Sequence, residues 1–458
     1  MKKLKLLLIF PFLLALSCSD ENEEILFIEE SPKQETPKQE QQTINFKALY
    51  SKHHTISQKE AEQMAIAIRN LPSRNEQSLK SAKKTSIKNV KVISRGNGLK
   101  STIQGVDTLV YIVNFDNDEG FTIIAADDRV SKPVIAYIQS GSYDEEYIKE
   151  NIPALADLIE NSYNHIRYEI SVFESKKDSL RAVADSILKS GVFPKIENNL
   201  KAYVTGTRYV YIGEYESPIL LQTVWDQSTS PYNDSVPLCP GTTDRVPAGC
   251  MATAVAQVMA YWKYPSSIYG HSFDWVGMTE VPNAAFLTDN NDKKDVSYLF
   301  KLIGLNTQMN YGCNKSGTTW PNTRPWLEYV LGYNVADFDY SWLSVYNYLS
   351  LNTPVIITAK DVLADGHAWV LDGYQSVFYN EENYILNTDN GAYVVTSSTP
   401  IMINYIHNNW GWGGFYNGFF QADFFCTLLP RDGVYDNGYS GTDYFNFTEN
   451  KKIHILYR

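Results

Sequence analysis

Hydrophobic periodicity weakens between residues 191 and 218, where basic residues such as Lys195, Lys201 and Arg208 are scattered through a stretch with little pattern. Such a break separates domains and is a natural place for proteolytic nicking. It divides the 458 residues into two patterned parts, each long enough to bury its own core. In the first part, Ser57-Gln58-Lys59-Glu60 has the form of a capping box, and Ala61, Met64, Ala65 and Ile68 follow at helical spacing up to Pro72. Residues 108–115 and 121–126 flank Asp116-Asn117-Asp118-Glu119-Gly120, a hairpin with turn chemistry. A strand over 133–138 and a long amphipathic helix over 153–190, through Leu155, Leu158, Ile159, Ile166, Val183 and Ile187, complete an α+β domain. In the second part a helix over 251–263 precedes Pro265. Strands are expected at 354–359, 368–374, 384–386 and 401–406, and a further run covers 418–425.

The N-terminus bears on compartment. Lys2, Lys3 and Lys5 precede an apolar run over 6–16 that is short for a membrane span and ends at a small residue and Cys18. Leu14-Ala15-Leu16-Ser17-Cys18 resembles a bacterial lipobox, with Ala15 where leucine is usual, and this implies lipidation of Cys18. The acidic tract Ser19-Asp20-Glu21-Asn22-Glu23-Glu24 resembles those that route some lipoproteins to the outer surface. The expectation is a lipoprotein signal over 1–18 and a protein anchored by lipid in the bacterial cell envelope, in the outer membrane or at the cell surface. Residues 31–42 are polar and carry no aromatic side chain, so 19–45 reads as a disordered tether.

With 40 Lys and Arg against 52 Asp and Glu, the net charge of -12 disfavours nucleic acid as a partner. The cysteines are Cys18, Cys239, Cys250, Cys313 and Cys426, without a C-x-x-C pair. A disulfide framework would be neither dense nor necessary in a chain this large, and one cysteine reads as a working thiol. His53, His54, His165 and His454 read as solvated, and His271 and His407 as packing residues. The acidic run from Asp289 to Asp295 lacks the glycine and terminal glutamate of a calcium loop and reads as a solvated loop. Neither a metal nor a cofactor is expected.

Three segments carry chemistry. Cys250 follows Ala248-Gly249 and opens an alanine-rich helix with Met251, Val255, Val258 and Trp262 on one side. A thiol with an ordinary pKa of about 8.5 is made more acidic at a helix N-terminus, where unpaired amides can also bind an oxyanion. Taken alone, a buried structural cysteine is the commoner reading of such a position. His367 enters a short alternating strand after Gly366, which could present its ring at a cleft rim. His407-Asn408-Asn409-Trp410-Gly411-Trp412-Gly413-Gly414 places amides and indoles on a glycine-permitted turn, suited to orienting and shielding an imidazole.

Together with Trp225-Asp226-Gln227, Pro231-Tyr232-Asn233, Tyr264-Pro265 and Asp372-Gly373, these segments resemble, in order, the streptopain family of papain-like cysteine peptidases. The papain-type Cys-Gly-Ser-Cys-Trp signature is absent, as in that branch. The resemblance implies an α+β fold in which a papain-like peptidase domain over 202–458, part helical and part antiparallel sheet or barrel, follows a small α+β inhibitory propeptide over 46–201. Asn114-Phe115 and the run from Gly120 to Asp128 look like part of that propeptide, and maturation is expected near 195–208. Carried over by position, Cys250 is the nucleophile, His367 the general base and then acid, and Gln227 an oxyanion donor beside the Cys250 amide. Asn409 and Trp410 would hold and shield the imidazole, with Asn408 as the alternative orienting amide. The loop around Tyr311-Gly312-Cys313 resembles a substrate-cleft loop, which would leave Cys313 a stray thiol near the cleft. The implied activity is that of a secreted endopeptidase made as a zymogen, acting through a thiolate–imidazolium pair and an acyl-enzyme on protein or peptide substrates, with its own propeptide as inhibitor. Two other classes fit a similar architecture: an idle surface-anchored binding or peptidase-inhibitor protein, and a Cys-His acyltransferase or transglutaminase.

Overall fold

A computed structural model describes residues 48–49, 54–70, 85–94, 108–151, 153–189, 203–360, 366–387, 393–422 and 449–458. The expected leader, the tether, Cys18, His53 and Cys426 lie outside the described residues. Among those residues no helix is long and apolar enough to cross a membrane.

Helix α1 (Gln58–Arg69) starts on the expected capping box: the Ser57 hydroxyl accepts from the Glu60 amide, and the Glu60 carboxylate accepts from the Ser57 amide at 2.8 Å. Strands β1 (Ile87–Ser94), β2 (Thr108–Phe115), β3 (Phe121–Ala125) and β4 (Val134–Ile138) form an antiparallel meander. After α2 (Glu145–Asn151), the helix α3 (Pro153–Lys189) lays Leu155, Ile159, Ile166 and Ile170 into one core with Leu109, Phe121 and Ile135. Its apolar residues recur every three or four positions, so one face is buried while the other stays wet.

The stretch expected to be patternless contains a strand, β5 (Tyr203–Glu216). Alternation is missing because the strand lies on an arm with little buried face: Val210, Tyr211 and Ile212 are consecutive and exposed by 37%, 41% and 54%. Its register comes from main-chain pairing with a later strand, which leaves no period-two trace in the sequence.

Helix α4 (Cys250–Trp262) follows. A short hairpin of β6 (Ser267–Ile268) and β7 (His271–Ser272) leads to α5 (Asn290–Asn306). Here the acidic run expected as a loop is the first turn of a helix: Asp289 caps it, its carboxylate accepting from the Asn291 amide at 2.6 Å, and Asp292 complements the amide end. Next come β8 (Asn334–Asp339), α6 (Trp342–Ser350), β9 (Val355–Lys360), β10 (Gly366–Asn387), β11 (Tyr393–Asn409), β12 (Gly418–Gln421) and β13 (Glu449–Tyr457). The expected 368–374 and 384–386 strands are thus one strand, and β8, α6 and β13 had not been anticipated.

The strands join in the order β1-β2-β3-β4-β12-β11-β10-β9-β13-β8, with β5 added to β10. The join between the two parts of the chain is a strand pair, Ile138 opposite Gly418, Tyr137 opposite Phe419 and Ala136 opposite Phe420. A side chain at Gly418 would lie 2.6 Å from the Tyr137 carbonyl, so the close approach requires glycine. Residues from both parts, including Phe121, Ile138, Leu155, Ile406, Trp410 and Phe420, share one core. Helix α4 is buried from Met251 to Ala260 on all sides, rather than on one, because it is wedged between α5 and the Ile356, Ala368 and Val370 side of the sheet.

Cys239 and Cys313 form a disulfide spanning 74 residues, with Cα atoms 5.1 Å apart, so Cys313 is not the stray thiol expected. Local sequence could not reveal a bond between residues so distant. Closing a loop of this length restricts the unfolded chain by roughly 4 kcal/mol.

Candidate active site

Gly249 ends the approach to α4 with φ 99° and ψ 142°, and no side chain caps the helix. The first-turn amides are therefore left for Cys250, the one unpaired cysteine among the described residues. The amides of Ala368, Met251 and Cys250 itself favour the charged form of its sulfur. The Ala368 contact brings the start of β10, and with it His367, against the end of α4. Desolvation nonetheless outweighs these donors, and the thiol is pushed up from its ordinary value.

His367 is half-buried, with Nε2 fully enclosed and without a hydrogen-bond partner. Burial lowers its pKa to about 4, against the pull of a hydrogen bond to the Trp410 main chain, which favours the charged ring. Burial thus disfavours the charged form of both groups in this arrangement. The ring lies nearly parallel to Trp412 at 5.1 Å and Trp369 at 5.7 Å, and is 6.4 Å from Trp410. Trp410 is thus one of three indoles around the ring; Trp412 belongs to the same turn expected to shield it, and Trp369 had been missed.

The other named residues are placed as follows. Gln227 is half-buried; its carbonyl accepts from the Ala248 amide at 2.6 Å, which sets it beside the segment leading to Cys250, and its side-chain amide makes no hydrogen bond among the described residues. Neither asparagine hydrogen-bonds to His367. Asn409 is buried: its oxygen accepts from Gln257 Nε2 at 3.2 Å and the Gly411 amide at 3.3 Å, and its Nδ2 donates to the Thr223 carbonyl at 2.8 Å. Asn408 accepts from Trp369 Nε1 at 2.8 Å and donates to the Ile406 carbonyl. The expected orienting role is corrected accordingly: a buried amide must satisfy its own donors and acceptor, and that of Asn409 ties α4 to β11 instead. Gln257, whose oxygen also accepts from the Trp225 amide at 3.0 Å, is the partner that went unnoticed. Its signal was a lone amide side chain within an apolar helix.

His407, read as a packing residue, is buried with Nδ1 2.6 Å from Asp372 Oδ1 and Nε2 3.2 Å from Gln139 Oε1, a residue just after β4. The same region holds the Trp-Gly turn: the Ser140 hydroxyl donates to the Gly414 carbonyl at 2.9 Å, and the Gln139 amide to the Asn417 carbonyl at 3.0 Å. Two histidines expected in solvent are not there. His454 is buried between Asp337 at 2.8 Å and Thr358 at 2.8 Å, and His54 is nearly buried beside Asp128 at 2.9 Å. His54, Asp127 and Asp128 could converge on an ion, but Arg129 already holds Asp127 at 2.5 Å.

Residues 225–420 match the Peptidase C10 family, and residues 53–163 match the Spi protease inhibitor. Residues 225–420 belong to the peptidase C10 family, that of streptopain. The chain is 24% identical over 367 residues to streptopain from Streptococcus pyogenes, covering 72% of this chain and 78% of that protein. It is also 24% identical over 368 residues to the thiol protease/hemagglutinin PrtT from Porphyromonas gingivalis, covering 73% of this chain but 36% of that longer protein. A prointerpain A fragment from Prevotella intermedia aligns with 80% of this chain and 97% of its own length at 18% identity and a TM-score of 0.45. Active interpain A from the same organism aligns with 52% and 94% at 22% identity and a TM-score of 0.35. The C10 match includes Gln227, Cys250, His367, Asn409 and Trp410, and the chain is a cysteine endopeptidase with a Spi-like propeptide domain.

The depressed His367 value has a consequence for the C10 precursor. Between pH about 6.5 and about 4 the unfolded chain takes up a proton that folded His367 refuses. The corresponding stability is complete above pH 6.5 and lost as the pH falls toward 4, at most about 3 kcal/mol. His454, also lowered by burial, acts in the same direction. Urea midpoints of the Cys250→Ala precursor at pH 7 and pH 4.5 should differ accordingly, and His367→Gln should flatten the dependence. An unchanged slope in His367→Gln would assign the acid sensitivity elsewhere.

Proposed function

We propose that the protein is a secreted, lipid-anchored cysteine endopeptidase made as a zymogen, in which Cys250 attacks the peptide carbonyl and His367 manages the proton. The observation that carries this reading is the contact of the Cys250 sulfur with the Ala368 amide, next to His367. The Cys250 amide and the Gln227 side chain would stabilise the oxyanion, the Cys250 sulfur would carry the acyl group, and His367 would protonate the leaving amine before water clears the thioester. Trp369, Trp410 and Trp412 exclude water from the imidazole. Substrates would be proteins or peptides.

Latency is supported by protonation and by a propeptide contact near the site. In the precursor both members of the pair are held neutral by burial, and the propeptide grips the turn that carries Trp410 and Trp412 through Gln139 and Ser140. Its release would admit water to the site and so favour the charged pair. Because β5 is hydrogen-bonded to β10 from Tyr203 onward, cleavage on its N-terminal side, within 195–202, would leave it in the peptidase sheet. The Cys239–Cys313 disulfide supports an oxidising compartment. The anchor at Cys18 rests on the sequence pattern.

The test is to incubate the chain from Ser19 onward in a mild monothiol and follow intact mass, with a sample alkylated at Cys250 as the control. Loss of about the first 180 residues in the untreated sample alone, roughly the length of one propeptide domain, with hydrolysis of an unfolded protein appearing in step, supports the reading. An untreated sample that stays whole, and hydrolyses nothing even after limited trypsin, rejects it.

A further inference from the structure

We propose that the Cys239–Cys313 disulfide is a positioning element for the substrate-binding side of the nucleophile, so that full activity requires this pair oxidised while Cys250 is reduced. The inference rests on the cysteine peptidase reading above. Two loops meet at the residue before Cys250. One, 310–317, is closed by reciprocal bonds between Asn310 and Gly317, amide to carbonyl at 2.9 Å and 3.1 Å. It presses the Ser316 carbonyl to 3.1 Å and the Met309 sulfur to 2.9 Å from the place where a side chain on Gly249 would sit. The other loop pairs Leu238 with Arg245 and runs directly into Ala248-Gly249-Cys250; within it the Cys239 amide donates to the Asp244 carbonyl at 2.8 Å. The disulfide joins the tip of the first loop to the second.

Cys313 and Asn314 are exposed at the tip, and within the loop the Gly312 amide reaches the Ser316 hydroxyl at 3.3 Å. The covalent tie acts together with the Asn310 and Gly317 pairing to fix the wall that touches Gly249. The reacting groups are held by other means: Cys250 by α4, and His367 by β10 and the indoles. Loosening the wall should weaken binding of an extended polypeptide while leaving the chemical step nearly intact, which is a rise in KM at steady kcat.

Exposure of Cys313 also makes the bond reachable. A dithiol reductant attacks one sulfur as thiolate, breaking the disulfide and releasing the other cysteine, which takes a proton. The second thiol of the reductant then closes on the mixed disulfide and releases the remaining cysteine. Two electrons pass from the reductant, which ends as a cyclic disulfide, to the cysteine pair. Excess dithiol therefore opens the staple, so activity at low substrate should fall as the reductant rises.

The test uses the self-processed full chain and the Cys239→Ser/Cys313→Ser double variant, titrated with dithiothreitol. Differential alkylation and mass spectrometry report the state of each cysteine, and kcat, KM and hydrogen exchange over 309–318 are followed together. The expected result is a rise in KM of about tenfold as Cys239 and Cys313 become alkylatable, with kcat within about twofold and faster exchange over 309–318. The double variant should show the raised KM at every reductant concentration, and reoxidation of wild type should restore the low value even if that variant folds poorly. Unchanged KM and exchange with the pair reduced overturn the proposal, as does a parallel fall in kcat, which would mean general loosening. A chain with its disulfide intact and Cys250 alkylatable that hydrolyses nothing would refute the peptidase reading instead. The staple is then judged on exchange over 309–318 alone.

Discussion

Cys250→Ala is expected to abolish self-processing and to lower hydrolysis of an unfolded protein by about 10⁴-fold or more, while leaving the precursor folded. No other side chain among the described residues can take over. Among the described residues the remaining cysteines are joined in a disulfide, and His367 and the Gln227 amide can move a proton or bind an oxyanion but cannot form the thioester. The fold should tolerate the change, because alanine is the best helix former and the first turn of α4 receives no side-chain cap from residue 250. Urea midpoints of the two precursors should agree within about 1 kcal/mol, since removing a sulfur from a half-buried site costs little. Equal loss of activity and of the unfolding transition would mean that Cys250 is structural. Retention of more than a trace of hydrolysis would point to a nucleophile elsewhere.

What the sequence made legible was what has a short-range signature. The capping box at Ser57 and Glu60, the hairpin around Gly120 and the start of the nucleophile helix each depend on residues within a few positions of one another, and each is found as expected. What escaped depends on contacts that no local period records. The strand pair between β4 and β12 joins segments about 280 residues apart, and the Cys239–Cys313 bond spans 74 residues. Asn409 was legible as a functional amide but not its partners, because a buried amide bonds to whatever the packing brings to it, here Gln257, Gly411 and Thr223. Protonation was the least legible property: a helix N-terminus argues for an acidic thiol, but the burial that reverses the sign comes from the cluster Cys250 packs against, which includes residues of α5 and of the sheet.

Gly249→Ala should cost about 2–4 kcal/mol of stability and lower the rate of peptide hydrolysis by about 10²-fold, although the new methyl group is remote from any proton-transfer step. Its φ of 99° with ψ of 142° belongs to a region that residues with a side chain rarely enter. Space is lacking as well, since the added carbon would meet the Met309 sulfur at 2.9 Å and the Ser316 carbonyl at 3.1 Å. The thioether can swing aside, but the carbonyl is main chain, held by the Asn310 and Gly317 pairing, so the strain falls on the backbone that enters Cys250. A displacement of even about 1 Å at a nucleophile lengthens the attack distance enough to give the stated loss. Alkylation of Cys250 should slow or quicken measurably as its amide donors shift, whereas Gly317→Ala, where an added carbon meets nothing within 4 Å, should change neither stability nor rate. If Gly249→Ala unfolds and hydrolyses like wild type, the backbone before the nucleophile is free to relax, and the close fit between Ser316 and Gly249 has no part in placing the sulfur.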